Sequence, residues 1–97
     1  MSIDPSVRRL LASFRKSPNW DESLDLEVLQ KFWPSLVGER LASAMRITAV
    51  QGSRVVINVP DNIWRIQLNR MRPELLKKLN EPWPTPWIKE IAFTHEN

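Results

Sequence analysis

The sequence of 97 residues contains no cysteine and no tyrosine, and it has only two glycines and one histidine. Without cysteine there is no disulfide framework, no thiolate nucleophile and no cysteine-based zinc or iron–sulfur site. Gly38 and Gly52 lie far apart, so the glycine-rich loops that cradle phosphate are absent. His95 stands near the carboxyl end, where we expect a frayed tail rather than a catalytic or metal-binding position. We therefore expect a protein that is not an enzyme and that carries no cofactor.

Long apolar runs are also missing. No segment approaches the ~20 apolar residues that a membrane span needs. Residues 1–5 carry an acid and a proline, where a secretory signal has cations and an apolar run. Hydrophobic residues make up 42% of the chain and charged residues 26%, which is typical of one globular domain. We expect a cytoplasmic protein without membrane contact.

A group of carboxylates, Asp21, Glu22, Asp25 and Glu27, could be taken for a metal-binding cluster. Their spacing fits better with the solvated first turns of a helix, where the helix dipole favours negative charge. We expect no metal site there.

The amino-terminal residues predict a short amphipathic helix. Its apolar side chains, Val7, Leu10, Leu11 and Phe14, recur at i, i+3, i+4 and i+7. Polar residues and a proline then mark a linker. We expect residues 1–20 to form a helical arm and linker, and residues 21–97 to form the compact domain.

Residues 24–45 predict a long helix that is interrupted by Pro34. A proline inside a helix removes a backbone hydrogen bond, so the helix either kinks at Trp33 or restarts there with Pro34 in its first turn. Gly38 is a poor helix former, which suggests either that another element packs closely on it or that the glycine is simply tolerated.

The next residues predict a β-hairpin followed by a broken helix. Two alternating segments flank Gly52-Ser53, and a glycine at the first central position suits a type II′ turn. Asp61 stands in the position of a helix N-cap, and Pro73 divides the following helical pattern into residues 61–71 and 73–80. Residues 87–93 predict a third strand. The predicted order is α-β-β-α-α-β, an α+β fold with a three-stranded sheet packed against helices, plus the short amino-terminal helix.

Basic residues of the hairpin and the broken helix are the best candidates for a functional site. The net charge is only +3, so their placement matters more than their number. On a helical wheel, Arg65 and Arg72 flank the apolar stripe, whereas Arg70 and Lys77 lie on the opposite side. Such cations can follow a phosphate backbone without reading its sequence, although they can also simply solvate the surface. The predicted nucleic-acid-binding residues are Arg54, Arg65, Arg70, Arg72, Lys77 and Lys78, and Arg46 is a further candidate.

Five tryptophans are unusual in a chain of this length. Trp33 and Trp64 lie on the apolar sides of predicted helices, so we expect them in the core. Trp83 and Trp87 flank a proline-rich segment, and either could cap the core, stack on a base or anchor a protein partner. We predict that they contact a protein partner.

Several motifs together resemble the bacterial DciA family, which is associated with the replicative helicase DnaB. They are residues 32–38, Leu41-Ala42, residues 55–59, Trp64 with Leu68, and residues 72–80. The resemblance implies a KH-like fold, contact with DNA and engagement of the helicase. KH modules that bind nucleic acid clamp its backbone with a GXXG loop between paired helices. The corresponding junction here, residues 70–73, has no glycine, so side-chain cations would have to substitute for it.

The sequence thus predicts a non-enzymatic DNA-replication accessory module that binds single- or double-stranded DNA electrostatically, contacts the replicative helicase and acts in helicase loading. Two alternatives stay open. One is a protein-interaction adaptor that does not bind nucleic acid. The other is an RNA-binding KH-like module, because KH-like folds serve both nucleic acids.

Overall fold

The computed structural model describes residues 21–81, 83 and 86–95, together with Ser6, Arg9 and Ser13. These last three residues are helical and their side chains are exposed. The apolar stripe predicted for the amino-terminal helix lies outside the described residues. The division into residues 1–20 and 21–97 stays a prediction.

Three consecutive helices replace the predicted long one: α1 (Glu22–Lys31), α2 (Trp33–Val37) and α3 (Glu39–Ala44). The Asp21 carboxylate caps α1, accepting hydrogen bonds from the backbone N–H groups of Ser23 at 2.9 Å and Leu24 at 3.2 Å. These bonds, together with one from the Ser23 hydroxyl, which contributes most, lower the pKa of Asp21. Pro34 lies in the first turn of α2, so the restart at Trp33 is confirmed.

Gly38 ends α2 because of its backbone conformation, not because of close packing. Its φ is +91°, a region that residues with a Cβ rarely adopt. A Cβ built on Gly38 would meet no heavy atom of the described residues within 4 Å. The alternative of a closely packed element at this position is therefore wrong.

Asp25 is only 2% exposed, although we expected the acidic residues of α1 to be solvated. That prediction is wrong for Asp25. The reason is its position: Val28 and Leu29, at i+3 and i+4, are buried on the same face of α1, so Asp25 turns inward with them.

The sheet has three strands in the order β1-β2-β3: β1 (Arg46–Gln51), β2 (Arg54–Val59) and β3 (Glu90–His95). β1 and β2 are antiparallel, with an irregularity between Ile47 and Ala49, and β3 runs parallel to β2. The hairpin turn contains Gly52 with φ +64°, as a type II′ turn requires at that position. The third strand begins three residues later than predicted. His95 belongs to it, so the expectation of a frayed tail there is wrong.

Two helices connect β2 to β3: α4 (Asn62–Arg70) and α5 (Arg72–Asn80). Asp61 caps α4, accepting a hydrogen bond from the backbone N–H of Trp64 at 3.0 Å. Met71 separates the helices with φ −95° and ψ 9°, and Pro73 lies in the first turn of α5. The predicted N-cap and the break before Pro73 are both confirmed.

Asn80 holds the segment that leads into β3. Its amide oxygen accepts hydrogen bonds from the backbone N–H groups of Trp87 at 3.1 Å and Ile88 at 2.9 Å. Its amide nitrogen donates to the carbonyl oxygens of Ile88 at 2.8 Å and Leu76 at 2.9 Å. Because this side chain satisfies the backbone of residues 87 and 88, they run beside the end of α5 instead of joining the sheet.

The helices pack on one face of the sheet. Alternate residues of β2, namely Val55, Ile57 and Val59, are buried against them. The Trp33 indole donates a buried hydrogen bond to the carbonyl oxygen of Met45 at 2.9 Å, which ties α2 to the start of β1. The result is an α+β fold with a three-stranded mixed sheet, consistent with a KH-like arrangement. Within the described ranges, no helix combines the length and the apolar character that crossing a membrane would require.

Candidate nucleic-acid interface

An open groove of about 380 Å³ runs between α4 and β3. Four consecutive residues of β3, at positions 90–93, line one side of it. Among the described strands β3 pairs only with β2, so the groove lies along an edge strand of the sheet. The other lining residues are Arg54, Arg65, Asn69 and Arg72. We call this feature the β3 groove.

Arg65 reaches the β3 groove from α4 and is held by its own helix. The Asn62 amide oxygen accepts two hydrogen bonds from the Arg65 guanidinium, from Nε at 2.8 Å and from Nη2 at 2.5 Å. Residues at i and i+3 are neighbours on a helix surface, so this pairing needs no other element. The remaining guanidinium donors can bind a ligand.

Arg72, the first residue of α5, is held by two contacts. Its Nη2 donates to the Asn69 amide oxygen at 2.5 Å, and its Cζ lies 5.9 Å from the centroid of the Phe93 ring. The second contact is a cation–π interaction between the helical junction and β3. Together the two contacts limit the positions that this guanidinium can take.

Arg54, the first residue of β2, completes the set. It lies directly opposite Glu90 in the parallel register of β2 and β3. Glu90 also lines the groove and adds one negative charge to it. Within the described part of the chain, no ion pair of 4.0 Å or less joins Arg54, Arg65 or Arg72 to a carboxylate.

The β3 groove therefore gathers three guanidinium groups from three different elements. A guanidinium keeps its charge at any physiological pH and presents planar N–H donors that match phosphate oxygens. Arg72 and Phe93 already contact each other, and among the described residues Phe93 is the one aromatic residue that lines the groove. The arrangement suits a chain of phosphates better than a stack of bases.

The other predicted cations lie elsewhere. Arg70 and Lys77 are exposed and do not line the β3 groove. Lys78 lines a separate cavity of about 420 Å³ together with Glu39 and Glu81. Arg46 lies at the opposite end of the hairpin from Arg54, paired with Asn58. A role for these cations in binding nucleic acid stays a prediction.

The two tryptophans predicted to bind a partner pack against each other. Trp83 is 6% exposed and belongs to the core, and Trp87 is half-buried. Their ring centroids are 5.3 Å apart and their planes meet at 85°, an edge-to-face contact. A role for Trp83 and Trp87 in binding a partner stays a prediction, but little of the Trp83 ring is accessible.

Asn62, Asn69 and Phe93 contribute to the site without having been predicted. A signal for the two asparagines is present in the sequence: each precedes an arginine by three residues, and the two pairs are seven residues apart. Phe93 offers no such signal, because its contact with Arg72 depends on how β3 packs. No group of three or more histidine, aspartate or glutamate side chains among the described residues is placed to hold a metal ion.

The comparisons with known proteins point to one family. The family model described as "Dna[CI] antecedent, DciA" matches residues 6–93, nearly the whole chain. This chain belongs to the DciA family. Membership confirms the resemblance seen in the motifs and places the chain in a non-catalytic, helicase-associated family with a role in DNA replication. The replicative helicase DnaB is the partner with which the family is associated. No curated protein matches the chain significantly.

Proposed function

We propose that this protein is a non-enzymatic DNA-replication accessory module that binds single-stranded DNA electrostatically through the β3 groove and contacts the replicative helicase. One observation carries the proposal: Arg54, Arg65 and Arg72 converge on one groove, and none of them forms an ion pair with a described carboxylate. Family membership supplies the context of replication.

The shape of the site favours a single strand over a duplex. Arg65 is half-buried at the wall of the groove, so a phosphate must enter the groove to reach it. A flexible single strand can follow such a groove, whereas a duplex presents its phosphates on the outside of a stiff helix. The N-terminus of α5, which begins with Arg72, adds a favourable partial positive charge there.

The salt dependence of binding tests how many cations take part. For a single strand, the slope of log affinity against log salt is about −0.7 for each phosphate neutralised. Three groove arginines predict a slope of about −2, and all six predicted cations would give about −4. The measurement is a fluorescence anisotropy titration of a labelled oligonucleotide at several salt concentrations. No binding even at low salt would contradict the proposal.

The same titration separates DNA from RNA. Contacts made only to phosphates predict similar affinities for DNA and RNA strands of the same length and sequence. A marked preference for RNA would favour the alternative of an RNA-binding module.

Contact with the helicase needs its own assay. We expect immobilised DnaB to retain the protein in the absence of nucleic acid. Retention at high salt without any oligonucleotide binding would instead favour the adaptor that does not bind nucleic acid.

A further inference from the structure

The outward face of α4 carries a second feature, which the β3 groove does not include. Ile63 is 70% exposed and Ile66 is 44% exposed, and they are the large hydrophobic side chains that stand out on the described surface. They lie one helical turn apart, and Arg70 follows Ile66 by four residues. We call Ile63, Ile66 and Arg70 the α4 ridge.

Packing among the described residues does not account for this ridge. α4 already buries Leu68 and packs Trp64 against the core, and neither isoleucine belongs to the core cluster. Single exposed apolar side chains are common on protein surfaces. Two of them on one helix face beside a cation indicate a binding surface more specifically than a single one does. Arg70 makes no hydrogen bond or ion pair among the described residues.

We infer that the α4 ridge binds an acidic amphipathic helix of a protein partner. Apolar side chains of that helix would pack on Ile63 and Ile66, and a carboxylate would pair with Arg70. The charge argument rests on Arg70, because α4 carries no acidic residue that could oppose it. Side chains that are three or four residues apart on a helix form ridges, and such ridges fit the grooves on the surface of another helix.

Other occupants fit less well. A second copy of this chain would bring two cationic ridges together, and two isoleucines per copy are too few for a stable dimer interface. An anionic membrane would need a broader apolar face, but Trp64 and Leu68 turn inward and leave that face only two side chains wide.

The inference concerns the protein partner in the proposed function, but it does not need that partner to be the helicase. It also uses none of the residues that line the β3 groove. The proposal for the ridge and the proposal for the groove can therefore be rejected separately.

The test is an NMR titration of the full chain with labelled isoleucine methyl groups. The added ligand is a synthetic helical peptide of about 18 residues, with leucines on one face and glutamates on the other. We expect the Ile63 and Ile66 methyl resonances to shift with the acidic peptide and not with a version that carries lysines. The double variant Ile63→Ser/Ile66→Ser should weaken binding about tenfold or more. Arg70→Glu should weaken it by a similar factor, whereas the matched control Arg40→Glu, an exposed cation of α3, should not.

Two results would overturn the inference: shifts at other isoleucines only, or equal binding of the acidic and lysine peptides. Binding to phosphatidylserine vesicles through the ridge without any response to the peptide would also overturn it. The same samples titrated with single-stranded DNA report on the β3 groove. Failure of the wild-type protein to bind single-stranded DNA would contradict the proposed function. It would not affect the inference about the α4 ridge.

Discussion

Two groups of cations on this protein differ in how they are held. Arg65 and Arg72 each donate to an asparagine three residues earlier in the chain, and Arg72 also lies against Phe93. Arg70 and Lys77 extend from the same two helices without any such contact among the described residues. A positioned side chain loses less conformational freedom when it binds a ligand, by about 0.5–1.5 kcal/mol. The difference separates cations that the structure positions at the β3 groove from cations that it leaves without a described contact.

The largest effect is expected when the Asn80 side chain is removed, because it positions the segment that leads into β3, and β3 lines one side of the groove. Asn80→Ala deletes four hydrogen bonds that hold the segment before β3. At roughly 0.5–1.5 kcal/mol for each bond, the free energy of unfolding should fall by about 2–6 kcal/mol. Urea denaturation measures this fall. Asn58→Ala, which deletes one exposed hydrogen bond with Thr94, is the control and should change stability by less than about 1 kcal/mol.

The next effect compares the two groups of cations directly. Arg65→Gln/Arg72→Gln should weaken binding of single-stranded DNA by about 100-fold or more, because each charged hydrogen bond contributes at least about 1.5 kcal/mol. Arg70→Gln/Lys77→Gln removes the same net charge and should weaken binding less than about threefold. Equal losses in the two double variants would show that only total charge matters.

A smaller effect isolates the positioning itself. Asn69→Ala keeps every charge but releases Arg72, so binding should weaken by about two- to tenfold while the salt slope stays unchanged. Gln67→Ala on the same helix is the control. If Asn69→Ala binds DNA as tightly as wild type, the asparagine does not prepare Arg72 for phosphate.

The smallest effect concerns the carboxylate in the groove. Glu90→Gln removes one negative charge opposite Arg54, so affinity for single-stranded DNA should rise about two- to threefold at low salt. The gain should shrink as salt increases, because exposed charges are screened. Glu39→Gln, outside the groove, provides the control.

Local features of the fold were predictable because they depend on neighbouring residues. Pro34 and Pro73 cannot continue a helix, and Asp61 can cap one, so the helical breaks and the N-cap follow from the sequence. Burial of Asp25 depends on the path of the chain in three dimensions and was not predicted. The positive φ of Gly38 is a local feature of a helix end, and it was missed.

The site was predictable only in part. The helical wheel separates Arg65 and Arg72 from Arg70 and Lys77, and the structure has the same separation. The wheel could not predict that Arg54 lines the same groove. The position of Arg54 depends on β3 pairing in parallel with β2, beside α4. A strand pattern does not specify its partner or its direction, so the convergence of the three arginines needed the tertiary structure.

The most direct test of the β3 groove is an NMR titration that follows the arginine side-chain N–H resonances while an unlabelled single-stranded oligonucleotide is added. The account predicts that the resonances of Arg54, Arg65 and Arg72 shift together with one dissociation constant, while that of Arg70 changes little. Shifts centred on Arg70, with the three groove arginines unchanged, would contradict it.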